Sequence, residues 1–362
     1  MPSVAAVLAD LAVRAPGDKA AAWDPHGLQI GDAAAEVMRL GICHEVSDLV
    51  VDRAIDLRLD LLISYHPLLF HPSNRWLAGS GPAGRAYRLL RSGVAVAVAH
   101  TAWDAARGGT GDALAAALGL GGVTRFGRVD PLAQKKLVTF VPPASADEVA
   151  AALSEAGAGR IGNYRSCSFR SQGIGTFLPE AGARPVTGEA GELNRQPEVR
   201  LEVVVGAGLE GQVVSALVAA HPYEEPAFDL YEVRSNLASI GRIGDLPGPE
   251  ALGDFAARVA ATLAASVRCS GDRNRMVSRV AVLPGSGGSL AGEAAAIGAE
   301  VYVTGDLSHH QTRESLDRGM STIDPGHAAT ERPGVARLLA EARNIMPAAI
   351  DLTDDPTPWK ES

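Results

Sequence analysis

VYVTGDLSHHQTRESLDRGMSTIDPGHAATE, residues 301–331, decides the fold class. A short apolar run at 300–304 ends in the turn Thr304-Gly305-Asp306. A helical pattern over 308–318 follows, then a second apolar run at 321–324. Apolar runs of four to five residues separated by a helix read as parallel strands buried on both faces. His327 follows the second strand, and Glu331 comes four residues later, one turn away on the same face if the stretch is helical.

The same grammar extends in both directions. Ser3 caps a helix with Val4, Val7, Leu8 and Leu11 on one face. Strands are predicted over 38–43, 61–64 and 94–99, with helices over 47–57 and 112–118. Beyond residue 241 come helix 251–266, strand 279–283, helix 289–298 and a final helix near 333–343, before a tail rich in Asp, Pro and Thr. Between these halves the order changes to strand 136–141, helix 146–156, strands near 165–177 and 199–205, helix 209–220 and strand 227–233. That β-α-β-β-α-β order is the ferredoxin-like unit. The expected fold is therefore α/β. It has a discontinuous, mainly parallel three-layer core (1–130 plus 236–362) and an inserted ferredoxin-like α+β domain (131–235).

Composition agrees with a folded, two-domain chain. The 362 residues are 46% hydrophobic and 21% charged, which excludes a disordered chain. Subtracting 42 acidic from 33 basic side chains leaves −9, a balance that argues against a nucleic-acid binder relying on phosphate neutralisation. Cys43, Cys167 and Cys269 are far apart and form neither a CxxC pair nor a disulfide framework, so a reducing cytoplasm is expected. The N-terminal stretch lacks a basic region and carries Asp10, unlike a signal peptide, and no run of about 20 apolar residues is available to span a membrane.

The chemistry clusters behind the strands. His66 follows strand 61–64. His100 follows strand 94–99, with Asp104 four residues on. His309 and His310 follow strand 300–304, and His327 with Glu331 follows strand 321–324. A single such histidine is more often a loop hydrogen-bonder than a ligand. Four strands delivering His, Asp or Glu to one edge, where α/β sheets bind ligands, point to a metal site. Imidazole and carboxylate without a thiolate set suit zinc, iron or manganese, and a carboxylate can bridge two ions. The turn Pro284-Gly285-Ser286-Gly287-Gly288-Ser289 reads equally as a phosphate nest or a plain tight turn.

These segments resemble the Nif-three-like family, also called GTP cyclohydrolase type 2 homologues or dinuclear-metal hexameric proteins. The resemblance rests on WDPHGLQIGD (23–32), LLISYHPLLF (61–70), VAHTAWDAARGGTGDALA (98–115), VLPGSGGSL (282–290), VYVTGDLSHH (301–310) and IDPGHAATE (323–331). Within the insert, GIGTFLPEAGARPVTGEAG (173–191) and HPYEEPAFDLY (221–231) are similar to the family's PII-type middle domain. The resemblance implies one or two divalent ions (zinc, iron or manganese) held by His66, Asp104, His327 and a bridging Glu331. It also implies His100 and His310 in proton-transfer or supporting roles, and a homohexamer. Where the family has the first histidine of a His-His-Pro triplet, this chain has Tyr65. Three outcomes follow: Tyr65 ligates as a phenolate, His26, His71 or His310 substitutes, or the second ion is weak or absent. The reading adopted is a weakened second site. The implied function is a metal-dependent hydrolase of a nucleotide or phosphorylated ring compound. The alternative is a non-catalytic, metal-binding regulatory assembly.

Overall fold

Three central strands, Leu40–Cys43, Leu61–Ser64 and Ala95–Val98, are buried at every position and pair in parallel, as their unbroken apolar sequence requires. Gly27–Ile30 pairs antiparallel with Ala95–Val98 at one edge, and Ile350–Asp351 pairs in parallel with residues 41–42 at the other. The computed structural model describes residues 1–354 apart from 80, 130–133, 162–163, 181, 184, 207 and 234–237. The expected tail from 355 onward lies outside the described residues.

The chain divides into two units, Met1–Pro131 with Leu237–Ser362, and Leu132–Asn236. The first unit is mixed α/β, but it holds two sheets, where the sequence pattern suggested one strand edge. Its second sheet runs Arg268–Ser270, Ser321–Asp324, Val301–Gly305, Met276–Ser286, Ala238–Ala251, Gly121–Val129. Only 276–286, 301–305 and 321–324 pair in parallel there. The outer pairings, including the long ribbon of 121–129 with 238–251, are antiparallel.

Each sheet is covered on both faces. Leu40, Ile42, Leu61 and Ile63 pack against helices Val4–Ala12 and His327–Ile345. Leu62 and Val96 pack on the opposite side with Val50, Val51, Ala86 and Leu89 from helices Asp48–Asp56 and Pro82–Arg91. In the second sheet, Val280, Val282, Val301, Val303 and Ile323 meet Leu114 of helix Thr110–Ala117 and Phe255 and Val259 of helix Leu252–Leu263. Ala281, Leu283 and Tyr302 face Ala291 and Ala294. Helix His327–Ile345 thus contributes Ala329 to one core and Val335, Leu338 and Leu339 to the other. Its first turn is thereby placed between the two sets of strand ends.

Local sequence explains the helix starts. Ser47 caps its helix through Val50 N–H, and Ser308 forms a reciprocal capping box with Gln311. The final helix begins at His327 rather than near 333 and includes Pro333.

The second unit has strands Gln134–Val141, Ser168–Phe177, Asn194–Val205 and Phe228–Val233, with helices Ala146–Glu155 and Glu210–Ala220. Its sheet is antiparallel throughout, in the spatial order second, third, first, fourth, which is the ferredoxin-like arrangement. Among the described residues no helix is long and apolar enough to cross a membrane.

Candidate metal centre

The hydrogen-bond ladder of the first sheet continues past its strand ends. Tyr65 N–H donates to Cys43 O, His66 N–H to His44 O, Ala99 N–H to Ser64 O and His100 N–H to Tyr65 O, at 2.9–3.0 Å. His44, Tyr65, His66 and His100 are therefore held at neighbouring positions on one edge by backbone register. Their rings crowd together: His44–His66 centroids lie 5.0 Å apart, Tyr65–His66 4.8 Å and His66–His100 5.3 Å.

Glu331 enters this group from the first turn of the interposed helix. Its carboxylate is 3% exposed and meets three imidazoles: His44 Nε2 at 2.8 Å and His66 Nε2 at 3.1 Å on Oε2, and His327 Nε2 at 3.0 Å on Oε1. Burial works to raise the pKa of this carboxyl. The hydrogen bonds of His327, His44 and His66 outweigh it and hold the value well below the ordinary range. Gly285 makes the approach feasible, because a Cβ there would stand 2.8 Å from Glu331 Oε1 and 3.3 Å from His327 Nε2. His327 Nδ1 pairs with Asp306 Oδ2 at 2.7 Å. With the hydrogen bond to Glu331 leading, and burial opposing, its pKa rises to about 9.

Asp104 joins through Tyr65. The Tyr65 hydroxyl donates to Asp104 Oδ1 at 2.6 Å and stands 3.4 Å from Glu331 Oε1. Burial, then the charges of Asp104 and Glu331, push the phenol well above its ordinary pKa. The hydroxyl has one proton to donate, and the shorter contact gives it to Asp104, with Glu331 alongside. Burial likewise raises the pKa of Asp104. His100 adopts φ 28°, a left-handed conformation costly for a residue with a Cβ, and its Nδ1 bonds Asp24 Oδ1 at 2.9 Å. Asp24 also accepts from the Thr101 hydroxyl and, at 3.0 Å, from its N–H. Asp306, the partner of His327, has φ 58°. Two of the five described non-glycine residues with positive φ thus flank the cluster.

Tyr65, His66, His100, Asp104, His327 and Glu331 come together here. His310 does not: it is exposed on helix His309–Asp317 with its ring 5.5 Å from that of His309. Neither His26 nor His71 supplies the extra imidazole. His26 Nδ1 lies 3.4 Å from Asp24 O, and His71 packs on Phe70. The residue that does so is His44, which the sequence reading passed over although it follows an apolar strand just as His66 and His100 do. Two donors of the glycine turn are used internally: Gly285 N–H donates to Thr330 Oγ1 at 2.8 Å and Gly287 N–H to Thr304 Oγ1 at 2.9 Å.

The donor set fits a metal ion. One ligand atom each from His44, His66 and Glu331 lies within 4.8 Å of the other two, at the edge of a sheet and with the carboxylate buried. Two imidazoles and a carboxylate are the ligand chemistry of zinc, iron and manganese. Fold and cluster together define a mixed α/β protein with a candidate imidazole–carboxylate metal centre between two sheets.

The chain belongs to the DUF34/NIF3 family (NGG1p interacting factor 3), whose pattern matches residues 3–355. It is 41% identical to the GTP cyclohydrolase 1 type 2 homolog of Bacillus subtilis over 329 residues, covering 89% of this chain and 87% of the relative. Its identity to the homolog of Mycobacterium leprae is 38% over 353 residues, covering 94% and 90%. Among solved structures, a Bacillus cereus protein related to NIF3 aligns with TM-score 0.69 and 35% identity over 99% of both chains. Staphylococcus aureus protein SA1388 aligns with TM-score 0.68 and 27% identity over 100% and 99%.

Proposed function

We propose that this protein is a metal-dependent hydrolase acting on a nucleotide or another phosphorylated ring compound, as the name shared by its curated relatives suggests. The observation that carries the reading is the convergence of three imidazole nitrogens from separate segments on the single buried carboxylate of Glu331. His44, His66 and Glu331 would hold one divalent ion, and His327, on the other oxygen of Glu331, would serve a second. When bound, such an ion supplies Lewis-acid polarisation of a substrate oxygen and lowers the pKa of water.

The chain's own groups do the rest. Asp306 fixes the ring of His327 through Nδ1, and ligand orientation of this kind typically governs affinity. Asp24 holds the Nδ1 side of His100, which leaves Nε2 to take or give a proton. Tyr65 donates to Asp104 and stands beside Glu331, so it positions the Asp104 carboxylate.

The test combines elemental analysis with activity. Wild-type protein is expected to purify with at least one transition-metal ion per chain and to hydrolyse a member of a nucleotide and phosphoester panel. His44→Ala and Glu331→Gln should lose both metal and turnover. Metal content unchanged in both variants would refute the ligand assignment. Metal bound without turnover on GTP or any phosphoester would favour the regulatory alternative.

A further inference from the structure

The ferredoxin-like unit carries a cavity of about 620 Å³ that the metal centre does not use, a size within the range of small-molecule sites. It lies over the outer face of that unit's sheet. Leu137, Leu201, Val203 and Val205 face the other way and are covered by the two helices. The floor is strand Ser168–Phe177 at Gly173 and Gly175, beside Glu198 and Phe140. Phe177, Leu178 and Val186 add apolar surface. Leu178 and Val186 are more than half exposed, as apolar side chains lining a binding surface would be.

One charged group is sunk into this surface. Glu198 is only 9% exposed. Its Oε1 accepts the Tyr223 hydroxyl at 3.1 Å, and Tyr223 is held in turn by His221, whose Nδ1 accepts the Tyr223 N–H at 3.1 Å while Nε2 bonds Phe140 O at 3.0 Å. Among the described residues, the lining cation Arg200 is committed elsewhere, with Nε on Glu202 Oε1 at 2.8 Å and its guanidinium 5.9 Å from the Phe140 ring. Glu198 lies across Gly175, where a Cβ would clash with Oε2. At Gly173 a Cβ would meet nothing closer than 4.0 Å, so the floor beside the carboxylate is open and flat. A buried carboxylate with a single hydroxyl donor among the described residues retains several acceptor positions, and leaving them unmet is costly.

We propose that this cavity binds a planar ring bearing two adjacent N–H donors, an amidine-type edge such as guanine or a pterin presents, with that edge on Glu198 and the ring lying over Gly173 against the apolar wall. Adenine, whose edge alternates donor and acceptor, matches a carboxylate poorly. The site is in the other unit from the metal centre and stands independently of the hydrolase reading.

Isothermal titration of the full-length protein with guanosine, benzamidine and adenosine tests this. Guanosine should bind saturably, and adenosine at least tenfold more weakly. Glu198→Gln, which replaces an acceptor oxygen by a donor, should weaken guanosine about tenfold or more. Gly173→Val suits a strand and has space for its side chain, yet fills the floor. It should abolish binding while leaving the circular dichroism spectrum and thermal midpoint unchanged. Benzamidine binding with guanosine excluded would keep the carboxylate site but overturn the neutral-ring assignment in favour of a cation. Failure of all three ligands to bind, or guanosine binding that Gly173→Val does not affect, would overturn the proposal.

Discussion

Replacing Asp112 by Asn isolates the ion pair that braces the metal-centre helix. Arg242 is fully buried, and its Nε donates to Asp112. Its remaining donors reach Ser239 O and Gly241 O at 2.9 Å and Ala106 O at 3.3 Å. Arg125, near the same carboxylate, donates to Ala105 O at 3.0 Å. The two guanidiniums thus anchor the end of helix His100–Ala105, which carries Asp104. Removing one partner of a buried pair costs about 3–5 kcal/mol. Here Asp112 is 24% exposed, Asn keeps one acceptor, and Arg242 keeps its three carbonyls, so about 2–3 kcal/mol is expected. For a unit of this size that corresponds to a thermal midpoint lower by about 4–12 °C. All four tryptophans (Trp23, Trp76, Trp103 and Trp359) lie outside 132–236 in the sequence, so tryptophan fluorescence reports this unit selectively.

The pH dependence gives a second check. Burial works to raise the pKa of Asp112, but the hydrogen bond and charge of Arg242 prevail and the value is lowered. A carboxyl whose folded pKa is depressed stabilises the protein above its unfolded pKa and loses that contribution as pH falls through the folded value. The gap between wild type and Asp112→Asn should therefore be full at pH 7 and narrow below the ordinary value of 3.8. A midpoint shift under about 1 °C at pH 7, or a gap that does not narrow in acid, would refute this account of the pair.

Three further outcomes are expected. Tyr65→His should increase the number of ions retained after dialysis, because an imidazole would replace a phenol whose hydroxyl is engaged with Asp104; unchanged stoichiometry and affinity would count against this. Gly285→Ala should lower both stability and metal retention, since it places a methyl 2.8 Å from Glu331 Oε1 at a residue with φ 68°, and normal metal content would contradict the close-approach argument. Ser308→Ala should cost about 1 kcal/mol by removing a capping box, measurable as a fluorescence-detected midpoint shift, with metal content unaffected.

The wrong turnings in the sequence reading have physical causes. Residues 121–129 have five exposed positions in succession, so no buried apolar run announces their strand, and their ribbon partner 238–251 mixes glycine, proline and charge. Without that ribbon, the strands of two sheets read as one edge. The final helix is expected near 333–343, with His327 and Glu331 on one face only if their stretch is helical; it is, because the helix begins at His327 and runs through Pro333.

Sequence by itself determined which segments become buried strands, because an unbroken apolar run such as LLIS or AVAV is stable only when both faces are covered. It also set the ferredoxin-like order of the middle unit and the placing of histidines and carboxylates immediately after strands, all of which are local properties of the chain. Tertiary structure alone decided which of those groups share a site. His44 joins the cluster, and His310 stays out of it. These outcomes follow from which strands lie side by side in register and from a helix seated between two sheets, and such pairings depend on residues up to 287 positions apart.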